Sequence, residues 1–372
     1  MRDGLLSGNV PLFARGSELE LIKPRIQAAV QSVIESGAYV NGSDVSEFEA
    51  EFADFIGTDH CVGVGNGTDA LMIGLLALGV RPRDEVVIPA VSFFATAEAV
   101  AAIGARPVFA DVEEGTWTVS ARTVEPLITA KTTALVPVHL FGNPAPMNEL
   151  VGLARSHGIP VLEDAAQAAG AEYRNRMAGS LANAAAFSFY PGKNLGAIGD
   201  AGALLTDDDE VAAIARRLRQ HGSDDRVNHL CVGFNSRLDS IQAAALRISL
   251  NELSRWTVAR RHVASFYDRS SMRNFLTLPS ETEGARSCFH QYIVSSDRRA
   301  ELRDALDKRG IETRVYYSPV LPLQPALRKF APDSLSPAAA RYQETCLALP
   351  IGESLSKPEA SRVVEAVEAA LG

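Results

Sequence analysis

The stretch AAAFSFYPGKNLGAIGDAGALL, residues 184–205, contains two short apolar runs that flank a glycine-rich loop. Five similar runs precede it, and alanine-rich segments that suit helices lie between them: CVGV (61–64), EVVIPA (85–90), RPVFAD (106–111), TALVPVHL (133–140) and IPVLED (159–164). Strands too apolar to face water that alternate with helices are typical of a mainly parallel sheet covered on both sides. The sequence therefore predicts an α/β fold with a mainly parallel seven-stranded sheet sandwiched by helices.

The pattern changes after residue 210, where the chain becomes helical and rich in arginine. The segment FHQYIVSS (289–296) then predicts a strand, and a charged helix, the loop TRVYYSPVLPLQP (313–325) and a last helix follow it. Because 372 residues exceed what one hydrophobic core usually supports, we expect two domains. We place a large domain with an N-terminal helical segment at residues 1–245. A smaller C-terminal α+β domain, joined to it by a long helix, takes residues 246–372.

The composition excludes several classes of partner. Lys and Arg number 36 against 45 Asp and Glu, and the resulting net charge of −9 makes nucleic acid or an anionic membrane surface an unexpected partner. No apolar stretch approaches the ~20 residues that a membrane helix needs, and MRDGLLSGNVPLF lacks the pattern of a signal peptide. Four dispersed cysteines without CxxC and seven histidines without HExxH predict neither a disulfide framework nor a metal site. We expect a cytoplasmic protein with reduced thiols.

A glycine-rich turn follows the first apolar run, in VGVGNGTDALMIGLL (62–76). Thr68 and Asp69 open the next helix, and backbone N–H groups at such a start form an anion site suited to phosphate. The dinucleotide pattern GxGxxG would need glycine at position 68, where threonine stands. The same turn could also be only a structural connection between a strand and a helix.

Asp164 stands at the end of the run IPVLED, where ligands collect in open sheets of this kind. A carboxylate at the end of a buried strand is unfavourable unless it meets a cation or several hydrogen-bond donors. Asp164 could cap the helix that follows. Alternatively, it could be the fixed counter-ion of a ligand's ring nitrogen.

Lys193 is the one lysine of six that lies between an apolar strand and a glycine-rich loop. Partial removal from water lowers the pKa of a lysine and makes its amine a competent nucleophile toward carbonyl groups. The alternative is a surface lysine whose stem is buried and whose charge stays in water. A Walker phosphate loop would need serine or threonine at position 194, where Asn194 stands.

Three strand ends thus offer a phosphate site, a buried aspartate and a desolvated lysine. Pyridoxal 5′-phosphate (PLP) needs all three, because its phosphate is anchored, its pyridine nitrogen is kept protonated and its aldehyde is bound as a Schiff base. In PAVSFFATAEA (89–99), Phe93 or Phe94 could also stack on the pyridine ring. Considered alone, two such phenylalanines are more often part of the core.

Six motifs, in this order, resemble those of the DegT-type sugar aminotransferases: GVGNGTDAL, PAVSFFATAEA, PVHLFG, EDAAQAAGA, FSFYPGKNLGAIGDAGA and GFNSRLDSIQAA. These are PLP enzymes of fold type I that make amino sugars on nucleotide carriers. The resemblance extends from about residue 10 to the C-terminus. It implies that the predicted sheet is the large PLP-binding domain of fold type I.

The resemblance also implies a role for each residue around the cofactor ring. Lys193 looks like the Schiff-base lysine, which also moves the proton between the substrate carbon and the cofactor. Asp164 resembles the partner of the pyridinium nitrogen, and Gln167 the donor to the ring hydroxyl. Phe93 aligns with the stacking aromatic residue of the family.

Further residues resemble the family's ligands for the phosphate and the substrate. The phosphate ligands would be Gly67, Thr68 and Ser188. Asn235 resembles the asparagine that reaches the cofactor phosphate of the neighbouring subunit, and Arg237 would bind substrate close by. The resemblance therefore implies a homodimer with active sites at the interface.

The expected reaction is transfer of the amino group of glutamate to a keto-sugar nucleotide. Lys193 favours transamination, because the dehydrating branch of the family has histidine there. KNLGAIGDAG resembles enzymes that act at C3, so we expect a dTDP-3-keto-6-deoxyhexose. Tyr316, expected to bind substrate, and Pro322 depart from the commoner HYPxPLHxQP, which leaves the substrate open. A 4-keto sugar, a PLP-dependent dehydratase or epimerase and a non-catalytic PLP-binding regulator remain alternatives, and an NAD-dependent enzyme is a more distant one.

Overall fold

A computed structural model describes residues 8–372, and the first seven residues of MRDGLLSGNVPLF lie outside it. The helices are α1 (Gly16–Ser36), α2 (Ser43–Ile56), α3 (Gly67–Ala77), α4 (Phe94–Ala102), α5 (Ala121–Val124), α6 (Met147–Ser156), α7 (Asp209–Arg219), α8 (Ser240–Asp268), α9 (Arg299–Asp307), α10 (Pro337–Thr345) and α11 (Lys357–Leu371). The strands are β1 (His60–Val64), β2 (Glu85–Pro89), β3 (Arg106–Ala110), β4 (Thr132–Leu135), β5 (Leu162–Asp164), β6 (Glu172–Tyr173), β7 (Arg176–Met177), β8 (Ala184–Ser188), β9 (Gly202–Thr206), β10 (Ala285–Arg286), β11 (Tyr292–Ser295) and β12 (Cys346–Leu349). Each of the seven predicted apolar runs overlaps one strand.

Two sheets are seen where the sequence predicted one. A four-stranded sheet has the order β1-β9-β8-β5, and a three-stranded parallel sheet has the order β3-β2-β4. Between them, β4 and β5 are joined only by isolated parallel bridges, Leu135 to Val161 and Val138 to Asp164. Pro137 lies within this seam and has no N–H to donate, which interrupts the ladder.

The four-stranded sheet is mixed because β9 runs antiparallel to both of its neighbours. The connection from β8 to β9 contains no helix. A parallel crossover usually needs a helix to carry the chain back along the sheet, so this connection returns the chain in the opposite direction. Strands β5 and β8 are parallel.

Helices cover both faces of the four-stranded sheet, because alternate residues of β8 face two different cores. Ala185 and Phe187 face a core shared with α2 and α8, whereas Ala184 and Ala186 face a core shared with α3 and α7. Alternation of this kind follows from the two-residue period of a strand. The small alanine side chains allow the helices to approach the sheet closely.

The C-terminal part of the chain has its own core. Strands β11 and β12 form an antiparallel pair, and α9, α11 and the second half of α8 pack with it. The segment before α1 joins this core, because Val10 bridges Ile311 and Phe13 bridges Ile351. The predicted boundary at residues 245 and 246 falls inside α8, and the division into two domains stays a prediction. None of the helices described is long and apolar enough to cross a membrane.

Candidate active site

Asp164 ends β5 and is 4% exposed. The Thr96 hydroxyl donates to Asp164 Oδ2 (2.7 Å), and the N–H of Ala166 donates to Oδ1 (3.2 Å). Burial raises the pKa of this carboxyl above its ordinary value, although the two hydrogen bonds and the charge of Lys193 oppose the rise. Asp164 is therefore a buried acid with only neutral hydrogen-bond donors of its own.

Lys193 follows β8 in a turn and is partly buried. Burial lowers the pKa of its amine to about 8, and the negative charge of Asp164 opposes this change. Because β5 and β8 are parallel neighbours, Asp164 at the end of β5 and Lys193 in the turn after β8 lie at the same edge of the sheet. The roles predicted for Lys193 and Asp164 toward a cofactor stay predictions.

The turn before α3 packs against the end of β8. A Cβ atom at Gly67 would lie 2.6 Å from the Cβ of Ser188, so no side chain fits between them. Asn66 caps the helix by accepting from the N–H of Asp69 (2.8 Å), whereas the N–H groups of Gly67 and Thr68 meet no acceptor within residues 8–372. Two free N–H groups at a helix start, with the Ser188 hydroxyl nearby, suit a phosphate.

Gln167 connects the end of β5 to the tyrosine-rich loop. Its side-chain oxygen accepts from the N–H of Phe141 (2.7 Å), and its amide nitrogen donates to the Tyr317 hydroxyl (2.9 Å). The rings of Phe93 and Tyr317 have centroids 5.5 Å apart. Phe93 is 52% exposed, whereas Phe94 packs into the core, so only Phe93 has a free ring face to offer a ligand.

Sequence reasoning missed three side chains around this centre. Ser92 and Thr96 share a hydrogen bond of 2.8 Å and lie within the quoted segment PAVSFFATAEA, where the spacing of four residues at a helix start was the available signal. His290 is 4% exposed, and its Nδ1 lies 3.2 Å from Asn194 Oδ1. Burial, together with the charge of Lys193, lowers the pKa of His290 well below its usual range, so the imidazole is neutral.

The remaining predicted residues are Asn235, Arg237 and Tyr316, and within the described part of the chain they, like the other predicted residues, form no hydrogen bond with Lys193 or Asp164. Asn235 is exposed and forms an isolated bridge with Gln220, and Arg237 Nη1 donates to the Gln220 side chain (3.4 Å). The Tyr316 ring lies next to that of Tyr317, with centroids 5.2 Å apart. Its predicted contact with substrate, like the roles of Asn235 and Arg237, stays a prediction.

Comparison with known proteins identifies the family. The family model described as the DegT/DnrJ/EryC1/StrS aminotransferase family matches residues 20–368. The chain belongs to this family. The prediction of a DegT-type aminotransferase is thereby confirmed, and the chain is an enzyme of the transaminase class.

Individual relatives cover nearly the whole chain. It is 44% identical over 361 residues to a dTDP-3-amino-3,4,6-trideoxy-alpha-D-glucose transaminase of Streptomyces venezuelae, covering 96% of this chain and 95% of the relative. It is also 40% identical to a pleiotropic regulatory protein of Geobacillus stearothermophilus, covering 96% and 98% of the two chains. Among solved structures, S. venezuelae DesV in complex with a ketimine intermediate has a TM-score of 0.94 and 43% identity, covering 98% of each chain.

Proposed function

We propose that this aminotransferase uses PLP to move the amino group of glutamate onto a keto-sugar nucleotide, with a dTDP-3-keto-6-deoxyhexose as the acceptor. One observation carries the cofactor assignment: Asp164 ends β5 and Lys193 follows the parallel neighbour β8, so a buried carboxyl group and a desolvated amine lie at the same edge of the sheet. The acceptor is inferred from the name of the S. venezuelae transaminase. The choice of C3 also follows the resemblance of KNLGAIGDAG.

The residues present fit the chemical groups of PLP. Gly67, which leaves no room for a side chain beside Ser188, and the free N–H groups at the start of α3 would hold the phosphate. Asp164 would hold the ring nitrogen in its protonated form. A cationic ring nitrogen would supply the charge partner that this buried carboxylate lacks. Gln167 and Phe93 would contact the ring hydroxyl and one ring face.

The protein's own groups would contribute a positioned base and a dry site. When bound, the cofactor supplies an electron-accepting ring that stabilises negative charge at the substrate carbon. Lys193 Nζ, whose pKa is about 8, can hold or release a proton near neutral pH, as a general acid and base must. The neighbouring rings of Phe93 and Tyr317 would cover part of the site and limit the access of water.

We propose that a second copy of the chain completes the site. Five large apolar side chains that follow β8, or lie in the segment before Asn235, are more than half exposed: Tyr190 59%, Ile198 51%, Val227 77%, Leu230 64% and Val232 95%. If these side chains form one contiguous patch, they would suit a contact with a second chain. Asn235 and Arg237, which have no hydrogen bond to Lys193 or Asp164 in their own chain, would then reach the neighbouring site.

We also propose that the two sheets act as one seven-stranded sheet of fold type I. The parallel bridges Leu135 to Val161 and Val138 to Asp164 support this, because they continue the parallel order from β4 to β5. We also propose that residues 1–245 and 246–372 form two domains. The cytoplasmic location of the protein is likewise a proposal.

Substitution of Lys193 tests the cofactor assignment. We expect purified protein to be yellow and to bleach with L-glutamate, and Lys193→Ala to lose the visible band and roughly 10³-fold or more of its turnover. Lys131→Ala, at an exposed lysine, is the matched control and should keep both. Normal turnover in Lys193→Ala would refute the assignment.

A substrate panel tests the acceptor. The glutamate-loaded protein, in its pyridoxamine form, is mixed with 3-keto and 4-keto sugar nucleotides, and the return of the visible band is followed. A return with the 3-keto sugars alone supports the proposal, whereas a return with the 4-keto sugars alone moves the reaction to C4. Release of ammonia would indicate a dehydratase, and no reaction with any sugar would favour the regulator that the G. stearothermophilus relative suggests.

A further inference from the structure

Arg15 lies in the segment that precedes α1 and is 6% exposed. Its guanidinium group reaches the turn that carries Lys193, more than 170 residues away in sequence. Nη1 donates to the carbonyl oxygens of Pro191 (2.9 Å) and Lys193, and Nη2 donates to the carbonyl oxygen of Asn194 (3.2 Å). One side chain thus binds three carbonyl groups of the turn at residues 191–196.

These carbonyl oxygens depend on Arg15. No other donor within residues 8–372 forms a hydrogen bond with any of the three. The turn is also closed tightly around the guanidinium, since a Cβ atom at Gly196 would lie 2.7 Å from the Pro191 oxygen and 3.2 Å from Arg15 Nη1. A planar fork of five N–H groups can satisfy several acceptors in fixed directions, which an ammonium group cannot do.

The C-terminal part of the chain fixes Arg15 from the other side. Arg15 Nε donates to Glu353 Oε1 (2.7 Å), and the other oxygen of Glu353 accepts from Nε of Arg260 (2.9 Å). Burial alone would raise the pKa of Glu353, but the two guanidinium groups overcome it and hold this pKa below its ordinary value. Glu353 is therefore ionised and holds the Arg15 guanidinium in place.

A second contact holds the same turn through Asn194. Arg260 donates to the carbonyl oxygen of Phe289 (3.1 Å), the residue before His290. The imidazole of His290 pairs with the Asn194 side chain, whose amide donates to the Cys288 carbonyl (3.0 Å). The turn is thus held by Arg15 on one side and by the 288–290 segment on the other.

We infer that Arg15 is a positioning residue, which holds the 191–196 turn so that the Lys193 amine faces Asp164. The inference rests on the proposed function. Arg15 hydrogen-bonds the backbone around the lysine and acts through that backbone. Misplacement of a reacting group by about 1 Å lowers turnover roughly 100-fold, so a loosened turn should be visible in turnover and in the proton equilibrium of the lysine-bound cofactor.

The test compares Arg15→Gln and Arg15→Lys with Arg261→Gln in the holoenzyme. Arg261 is the matched control, because it also binds backbone carbonyls and a glutamate, namely Ser287, Gly170 and Glu172, but does not touch the 191–196 turn. Four quantities are measured: kcat, the KM for glutamate, the pH midpoint of the visible band, and the yield of cofactor trapped on the Lys193 peptide by borohydride.

Arg15→Gln should lower kcat roughly 100-fold while KM changes less than about threefold. The pH midpoint should move by about one unit, a tenfold change in the proton equilibrium, and the trapped yield should fall. Arg15→Lys can still pair with Glu353 but cannot bind three carbonyls, so it should fold and show the same losses. Arg261→Gln should keep the midpoint and trapped yield of the wild type, whatever its thermal stability.

Two results would overturn the inference. One is wild-type midpoint and trapped yield in both Arg15 variants, and the other is restoration of kcat by Arg15→Lys, which would mean that only the ion pair matters. Failure of the proposed function can be distinguished from failure of this inference. In that case borohydride would trap no cofactor on the Lys193 peptide even in the wild-type protein.

Discussion

The two faces of β5 carry neighbouring carboxylates with different surroundings. Glu163 is fully buried, and it accepts from the N–H groups of Gly179 (2.8 Å) and Leu181 (2.6 Å) and from His139 Nε2 (2.8 Å). His139 Nδ1 accepts from the N–H of Ala145, so the proton of the imidazole lies on Nε2, where it points at Glu163. Every donor to Glu163 is a group of the protein itself.

Asp164, on the opposite face, is held by one hydroxyl and one N–H group, and its charge faces the partly buried Lys193. A carboxylate has room for about four hydrogen bonds. Burial alone therefore does not distinguish a structural acid from a functional one. Donors fixed in the protein satisfy Glu163, whereas Asp164 retains capacity for a ligand.

The largest expected effect that tests this comparison is the loss of turnover in Asp164→Asn. The amide cannot hold a proton on a ring nitrogen, and loss of one preorganised electrostatic group lowers kcat by roughly 10³-fold. Stability should stay level or rise, since a buried charge without an ionic partner in contact is removed. Steady-state kinetics and urea unfolding measure the two effects. Turnover within tenfold of the wild type would mean that Asp164 only caps the next segment.

Glu163→Gln should produce the opposite result. Its amide would point an N–H group at donors that now meet a carboxylate, which should lower the free energy of unfolding by about 3 kcal/mol. Turnover per folded molecule should change little, because Glu163 faces away from Lys193. Urea unfolding and active-site titration distinguish the two effects. If stability is unchanged and turnover falls as far as in Asp164→Asn, the comparison of the two faces is wrong.

Much of this centre was predictable because it depends on short segments. Each apolar run overlaps a strand, and the positions of Asp164 at the end of one run and of Lys193 just after another led to the prediction that they share a site. Local pattern predicted the elements well because a strand covered on both faces must be apolar along its whole length. The break between the two sheets was not predicted, because the pattern of apolar residues does not reveal the effect of the missing backbone N–H at Pro137.

The contacts that support the site were not predictable from local pattern. Arg15 contacts the turn of Lys193 from the segment before α1. Thr96 bonds to Asp164 although the two residues are 68 positions apart in sequence. A buried arginine before the first helix has no periodicity that marks it. Such pairs are determined by the three-dimensional packing of distant segments, so a single sequence leaves them open.

Thr96→Val should reveal how much the neutral donors contribute to the function of Asp164. Valine keeps the shape of threonine but removes the hydroxyl that donates to Asp164 and bonds to Ser92. The loss of about one hydrogen bond, ~1 kcal/mol, should lower turnover by roughly fivefold. Thr96→Ser restores the donor and should recover most of the turnover. Equal losses in both variants would assign the effect to packing of the methyl group.

The smallest expected effect is the pH dependence of stability that Lys193 confers on the cofactor-free protein. The ordinary pKa of lysine, 10.5, applies to the unfolded chain, and burial lowers the folded value to about 8. Between these values the unfolded chain binds more protons, so this group makes stability rise with pH from about 8 to 10.5. Below pH 8 both states are charged, and the folded protein bears the full penalty of burying that charge.

Lys193→Met removes this penalty, so its advantage over the wild type should shrink as pH rises through that window. We expect it to be more stable than the wild type by about 1 kcal/mol at low ionic strength near neutral pH, since the charge is partly screened by solvent. Lys131→Met, at an exposed position, should show no such trend. Urea unfolding at neutral pH and above pH 10 measures both variants. An advantage that grows with pH would place the Lys193 amine beside a stronger negative partner than Asp164, and the contrast between the two faces of β5 would then fail.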